Sequence, residues 1–242
     1  MRSLSIYFYL LLLALLVVSN DLHARCKTDL PVCELERNIR LQGMDMEVQF
    51  ITRVEEKDLH YLIMSDGQEY FTDNAGSMLI RGDVILMQED SLQHLNRKYR
   101  TKYNASLLGQ FNEIDLIQYL PEGEVKSDVY VFTDVNCIFC KKLFSELDEI
   151  LALGYRVNAL LYTPEGEAAE SWQAHRQVYC SQNKAAALMA HKMEQTLPPA
   201  TVQGCQPDMQ LTLIESLARK FQVNGTPAII FPDGEKKDGY RA

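Results

Sequence analysis

The sequence predicts a mixed α/β protein in three parts: a small β-rich domain, a linker helix, and a larger C-terminal domain in which strands and helices alternate. Three observations lead there. Val129–Gly154, VYVFTDVNCIFCKKLFSELDEILALG, runs from an apolar stretch (Val129 to Phe132) through a polar break at Thr133-Asp134 and Asn136. It then enters a segment with Leu143, Phe144, Leu147, Ile150 and Leu151 at helical spacing. Met46 to Met87 instead shows short alternating or apolar runs cut by turn signals at Asp66-Gly67 and Asn74-Ala75-Gly76. Between them, Gln88–Gly109 is polar and charged, with Leu92, Leu95, Tyr99 and Tyr103 at helical spacing.

In chain order, Met1-Arg2 precedes the leucine-rich run Ile6–Val18 and a polar stretch ending Leu22-His23-Ala24. A basic start, an apolar run and a small residue are the parts of an export signal, so residues 1–24 read as a signal peptide cleaved after Ala24. The run is short for a membrane span of about 20 residues. The 242 residues are 47% hydrophobic, which is a globular composition, and the net charge of −9 gives no reason to expect nucleic acid or anionic lipid as a partner. Export also suits the cysteines: four of six lie outside the close pair at 137 and 140, an even number in a compartment where disulfides persist.

The mature chain divides into residues 25–88, 89–113 and 114–242. Cys26 and Cys33 open it, spaced for a small disulfide loop worth about 2.5 kcal/mol if unstrained. A local clamp is the expectation; a second redox pair is the rival. The Met46–Met87 meander comes next: Met46, Val48 and Phe50 alternate with polar residues, and then come His60–Met64, Tyr70-Phe71, Met78–Ile80 and Val84–Met87. So short a meander has too little sequence to bury both faces, and an open face or edge invites a second copy. Residues 89–113 form a linker helix that sets the distance and orientation of the two domains it joins. Asn104-Ala105-Ser106 matches a glycosylation sequon, read here as a chance match.

The C-terminal domain opens with an edge strand at Ile114–Leu120 and a turn at Pro121-Glu122-Gly123. Val129–Phe132, the helix after it (stopped by Gly154) and the strand Tyr155–Tyr162 form a β–α–β unit. Glu167–Gln195 reads as inserted helices, with Trp172 in the core and His175 and His191 as solvated helix residues. Met209, Leu213, Leu217 and Phe221 mark one face of a further amphipathic helix, and Ala228–Phe231, Pro232-Asp233-Gly234 and Glu235–Gly239 a final hairpin.

Cys137 and Cys140 therefore sit where a strand turns into a helix. Unpaired N–H groups and the positive end of the helix dipole favour thiolate there, and Lys141 and Lys142 add field of the same sign. Cys137, on the open side, is the attacking sulfur; Cys140, one turn in, is the resolving one. Half of a zinc site is the rival, but zinc wants a second close pair and the other cysteines are scattered singly. A static disulfide is disfavoured because so short a loop brings little chain-entropy benefit. A redox dithiol, with neither metal nor cofactor, is the reading.

CIFC behind a VFTD strand resembles the thioredoxin-like periplasmic thiol–disulfide oxidoreductases, most of all the DsbC/DsbG disulfide isomerases. YLIMSDGQEYFTDNAGSMLIRGDV resembles their N-terminal dimerisation domain, and the W-x(7)-C pattern at Trp172–Cys180 with a later loop cysteine resembles their catalytic domain. The resemblance implies a thioredoxin-like fold with a helical insertion, preceded by a small cystatin-like dimerisation domain. It implies a structural disulfide between Cys180 and Cys205, with a loop worth about 3.5 kcal/mol. In VNGTPAIIF it implies a cis Thr226–Pro227 bond opposite the redox pair, where backbone groups of Thr226 meet an extended substrate.

The function implied is that of a periplasmic, homodimeric disulfide isomerase or reductase acting on disulfide-containing exported proteins, with a DsbD-like membrane thiol reductase as electron donor. A thiol oxidase or a client-specific reductase of the same fold is the alternative, and a holdase chaperone for unfolded chains is the alternative of another class. Ile138-Phe139 departs from the Gly-Tyr dipeptide of the isomerases, and these side chains set redox poise, so the direction of exchange stays open. The family also continues into a closing helix beyond Tyr240-Arg241-Ala242, which implies either a fragment or a partly uncovered sheet.

Overall fold

The computed structural model describes residues 35, 37–39, 47–194 and 202–240. The signal-peptide reading and the Cys26–Cys33 loop lie outside the described residues. Within them, no helix is long and apolar enough to cross a membrane. The chain forms two compact units, Met1–Gln93 and His94–Ala242.

In the first unit, β1 (Val48–Val54), β2 (Leu59–Met64), β3 (Glu69–Asp73) and β4 (Leu79–Ile80) form an antiparallel sheet in the order β1-β2-β3-β4. Its turns are dictated by their residues. Asp66 caps the 66–67 turn by accepting from Gln68 N (2.9 Å), and Gly67 takes a φ of +80°. Gly76 has a φ of +68°, in the left-handed region that favours glycine, and a Cβ there would press on Leu35 Cδ1 at 2.8 Å. Leu35, Ile39, Val48, Leu62 and Met64 form one cluster against the sheet, while Tyr61 meets Phe71 edge-on at 5.2 Å.

The central strand of this sheet is covered on both sides. Every residue of β2 from His60 to Met64 is buried, whichever face it points to. Among the described residues of this unit, the exposed large apolar side chains are Met78, Ile80, Ile85, Met87 and Leu92. They lie at the β4 edge and around a two-stranded ribbon of β5 (Ile85–Gln88) and β6 (Ser91–His94).

The second unit starts with α1 (Leu95–Leu107), which falls in residues 89–113. It is docked within this unit. Leu95, Tyr99, Tyr103 and Leu107 are buried. Asn104 is also buried and donates to Gly234 O (3.0 Å), so the sequon asparagine is not available to a glycan. Gly234 permits the approach: a Cβ would lie 2.3 Å from Thr101 O and 2.5 Å from Ala105 N. Arg97 and Glu235 add an ion pair at 2.7 Å.

The sheet of this unit runs β11-β10-β8-β9-β7, built from β7 (Ile117–Tyr119), β8 (Ser127–Thr133), β9 (Tyr155–Leu161), β10 (Ala228–Ile230) and β11 (Lys236–Asp238). Only β8 and β9 are parallel, as a crossover through helices requires. The crossover is two short helices, α2 (Ile138–Ser145) and α3 (Leu147–Ala152), where periodicity suggests one. Glu146 leaves helical geometry at φ −104°, ψ 13°, and Ser145 Oγ donates back to Lys142 O (2.7 Å) just before the break. Gly154, at φ +92°, ends α3, with its N–H on Leu151 O (2.8 Å).

The insertion supplies α4 (Trp172–Tyr179) and α5 (Lys184–Lys192); α6 (Asp208–Lys220) comes after it. On α6 the buried face is Leu211, Ile214, Leu217 and Ala218, whereas Met209 and Leu213 are exposed. The expected face takes steps of four, which drift about 40° per step around a 3.6-residue helix; the observed face mixes steps of three and four and stays aligned. His175 is another correction. Its residue type suggests a solvated helix position, yet it is fully buried in α4 beside Trp172 and Val178.

Candidate active site

The apolar strand β8 ends at Thr133, and the chain turns at Asp134 before entering α2. Asp134 shapes the turn: Oδ1 accepts from Asn136 N (2.7 Å) and its carbonyl from Cys137 N (3.2 Å). Cys137 is the N-cap of α2, with extended backbone, and its sulfur accepts from Cys140 N at 3.4 Å. The thiol donates to Thr226 O at 3.2 Å, across 89 residues of sequence. Thr226–Pro227 is a cis peptide directly before β10, and Pro227 is buried. The carbonyl of Thr226, expected to be free for a substrate chain, is thus taken by Cys137 in this state.

The two sulfurs differ in environment. Cys137 is part-exposed, and the side chains that follow it, Ile138 and Phe139, are 77% and 60% exposed. Burial pushes the Cys137 thiol up, but hydrogen bonds from Thr226 and from the Cys140 and Phe139 N–H groups outweigh it, and the net shift is downward. Cys140 has no exposed surface, and that burial pushes its thiol above the ordinary value. Lys192, the Thr133 hydroxyl and the Asp134 N–H oppose the rise without cancelling it.

Beneath the pair lies a polar group of residues not anticipated from the sequence. Asp134 Oδ2 accepts from Ser171 Oγ, and His175 Nε2 lies 3.3 Å away. Burial raises the Asp134 carboxyl, but His175, Ser171 and Asn136 together hold it below the usual carboxylate range. Lys192, at the end of α5, is 1% exposed; its ammonium donates to Asp134 O (2.6 Å) and sits 4.9 Å from the centre of the Phe144 ring. Lysine is ordinarily a surface residue, so only its i+4 position after the buried Leu188 hints at this. Lys141, meanwhile, pairs with Glu194 at 2.6 Å.

Cys180 and Cys205 form a disulfide joining the end of α4 to the loop before α6, with Cα atoms 5.6 Å apart. Val202 N donates to Cys180 O (2.7 Å) within that loop. Among the described residues the free cysteines are Cys137 and Cys140, and no group of three His, Cys, Asp or Glu side chains is placed to hold a metal ion.

Residues 114–241 match the family model described as Thioredoxin-like domain. A thiol:disulfide interchange protein DsbC from Salmonella typhimurium is 29% identical over 140 residues, covering 57% of this chain and 56% of the relative. The DsbC of Escherichia coli K12 is 25% identical over 182 residues, 74% of this chain and 71% of the relative. The chain thus spans little more than half the length of the Salmonella protein. A solved disulfide interchange protein from Neisseria gonorrhoeae shares 25% identity at a TM-score of 0.44, over 52% of this chain and 86% of its own. With a strand-to-helix dithiol facing a cis-proline loop, and a family match across its whole C-terminal part, the chain belongs to the thioredoxin-like family.

Proposed function

We propose that this protein is a thiol–disulfide exchange enzyme of the periplasm, acting as an isomerase or reductase on exported proteins with wrong disulfides. The observation that carries the reading is the asymmetry of the dithiol. Cys137 is reachable and biased toward thiolate, while Cys140 is buried and biased toward thiol. Cys137 thiolate attacks a substrate disulfide, forming a mixed disulfide and releasing one substrate thiolate. Either that thiolate attacks another disulfide of the substrate, and the thiolate so freed attacks the substrate sulfur of the mixed disulfide and expels Cys137 thiolate, or Cys140 attacks the Cys137 sulfur, expels the second substrate thiolate and leaves Cys137–Cys140 oxidised. A reductase must then return two electrons, a role suited to a membrane thiol reductase. When Cys137 gives up its proton it no longer donates to Thr226 O, so that carbonyl becomes available to a substrate backbone N–H beside Pro227.

Homodimerisation through residues 25–88 belongs to the same reading, with residues 89–113 between the dimerising and catalytic parts. Its support is the exposed apolar side chains at the β4 edge and on the β5–β6 ribbon, which a second copy would cover. Cys180–Cys205 is assigned a structural role, and Cys26–Cys33 that of a local clamp.

Scrambled ribonuclease provides the test. Cys137→Ala should abolish both reduction and isomerisation; full activity in that variant would refute the exchange reading, and survival of chaperone binding alone would favour a holdase. Sedimentation should find a dimer for the mature chain, and a monomer that isomerises normally would remove the dimer from the account.

A further inference from the structure

The insertion between β9 and β10 brings a buried cation to the redox pair, and thiol exchange as usually written does not use it. Lys192 reaches inward from the end of α5, which packs on α2, and its ammonium is fixed at two points. One is the carbonyl of Asp134, at 2.6 Å; the other is the face of Phe144, at 4.9 Å. Phe144 and Cys140 are i and i+4 partners on the buried side of α2, so the ammonium and the Cys140 sulfur share one inner face of the helix. Both also engage the backbone of Asp134, the ammonium through its carbonyl and the sulfur through its N–H. A buried lysine costs several kcal/mol unless its charge is matched. Asp134 offers its carbonyl, and its carboxylate, which accepts from Asn136 and Ser171 and lies 3.3 Å from His175 Nε2, favours the ammonium as well, after Cys140.

We propose that Lys192 is a positioning residue for the second chemical step, its buried ammonium supplying the charge against which Cys140 forms its thiolate. The proposal rests on the reading of Cys137 as attacking and Cys140 as resolving sulfur. In that step the Cys140 S–H bond breaks, the Cys140–Cys137 bond forms, and the bond between Cys137 and the substrate breaks. Cys140 and Cys137 end oxidised, the substrate sulfur leaves with the electron pair, and water carries the Cys140 proton to it. Lys192 neither gains nor loses a bond; it offsets the negative charge that burial would otherwise forbid on Cys140. The charged and titratable groups around it are Cys137 at the N-cap of α2, Cys140 and Lys141 on α2, Asp134 after β8, and His191 on α5, itself influenced by His175 of α4. Lys141 is partly neutralised by Glu194, so among these groups Lys192 is the fully buried cation next to the pair.

The test separates the two steps. Cys137 is loaded with a peptide as a mixed disulfide, and release of the peptide is followed against pH in wild type, Lys192→Met and Lys192→Arg. Lys192→Met should slow release about tenfold near pH 7 and move its pH profile up by about one unit, since one unit of pKa is a factor of ten in thiolate. Alkylation of Cys137 by iodoacetamide should change less than about threefold, and Lys192→Arg should restore part of the release rate. Release that is unchanged, or that falls by one factor at every pH together with Cys137 alkylation, overturns the role. If Lys192→Met does not fold, the lysine can be left in place. In Cys137→Ser protein the Lys192 Nζ titration, followed by NMR, should lie above that in Cys137→Ser/Cys140→Ser, and equal titrations overturn the coupling. Wild-type protein that never forms the mixed disulfide sinks the exchange reading as well; normal release from Lys192→Met sinks this proposal alone.

Discussion

The Cys137 sulfur and the Thr226 carbonyl oxygen stand 3.2 Å apart, bringing the start of α2 against the loop that opens β10. The contact joins the attacking sulfur to the loop proposed to hold substrate, and the Thr226 side chain is first among the groups that lower the Cys137 thiol against its burial. Thr226→Val keeps the carbonyl and removes the hydroxyl. Its Cys137 should titrate higher than in wild type and be alkylated about three- to tenfold more slowly at pH 7. Thiolate absorbance against pH, with rates of iodoacetamide labelling, measures both; an unchanged titration would show that the hydroxyl does not act on the sulfur.

Asp134 sets the turn between β8 and α2 and is held below the usual carboxylate range in the folded protein. A carboxyl whose folded pKa is depressed contributes stability above its unfolded value, near 3.8, and loses it as pH falls through the lower folded value. Asp134→Asn should therefore cost about 1–3 kcal/mol at pH 7, by weakening bonds to Asn136, Ser171 and His175. The difference from wild type should narrow below pH 3.8. Urea unfolding across pH 3 to 7 checks the slope.

Lys192 is a penalty rather than a gain, although stability again rises with pH. Burial lowers its pKa from 10.5 to about 8, so below 8 the folded protein carries a penalty for holding the charge. Between about 8 and 10.5 the unfolded chain binds the extra proton, and stability due to this residue rises with pH. Relative to Lys192→Met, reduced wild type should gain up to about 3 kcal/mol across that window. Paired unfolding curves at several pH values test it; a gap that stays constant, or widens against wild type as pH rises, contradicts it.

Much of the site can be read from local sequence because its chemistry is local. A C-x-x-C pair after an apolar strand is placed by strand, turn and helix signals within about twenty residues, and a proline before AIIF is equally plain. The supporting groups are not local. His175 and Lys192 belong to short helices, and their burial depends on α4 and α5 packing under the redox helix. Residue type misleads at both, since histidine and lysine are more often solvated. The same holds for α1. Its polar sequence says little about burial, yet Tyr99, Tyr103 and Asn104 are buried, and a glycine 130 positions after Asn104 makes the close approach possible. The break at Glu146 is hidden in the sequence because the apolar spacing continues through it.

The central claim is that Cys137 attacks and Cys140 resolves, and a trapping measurement addresses it most directly. In Cys140→Ala protein, reduced and mixed with a disulfide-bonded substrate, the mixed disulfide has no resolving thiol and should accumulate. Peptide mapping by mass spectrometry should find the substrate joined to Cys137, released by dithiothreitol, with Cys180–Cys205 intact. Failure to trap any substrate, or a substrate joined to a cysteine other than Cys137, would contradict the account.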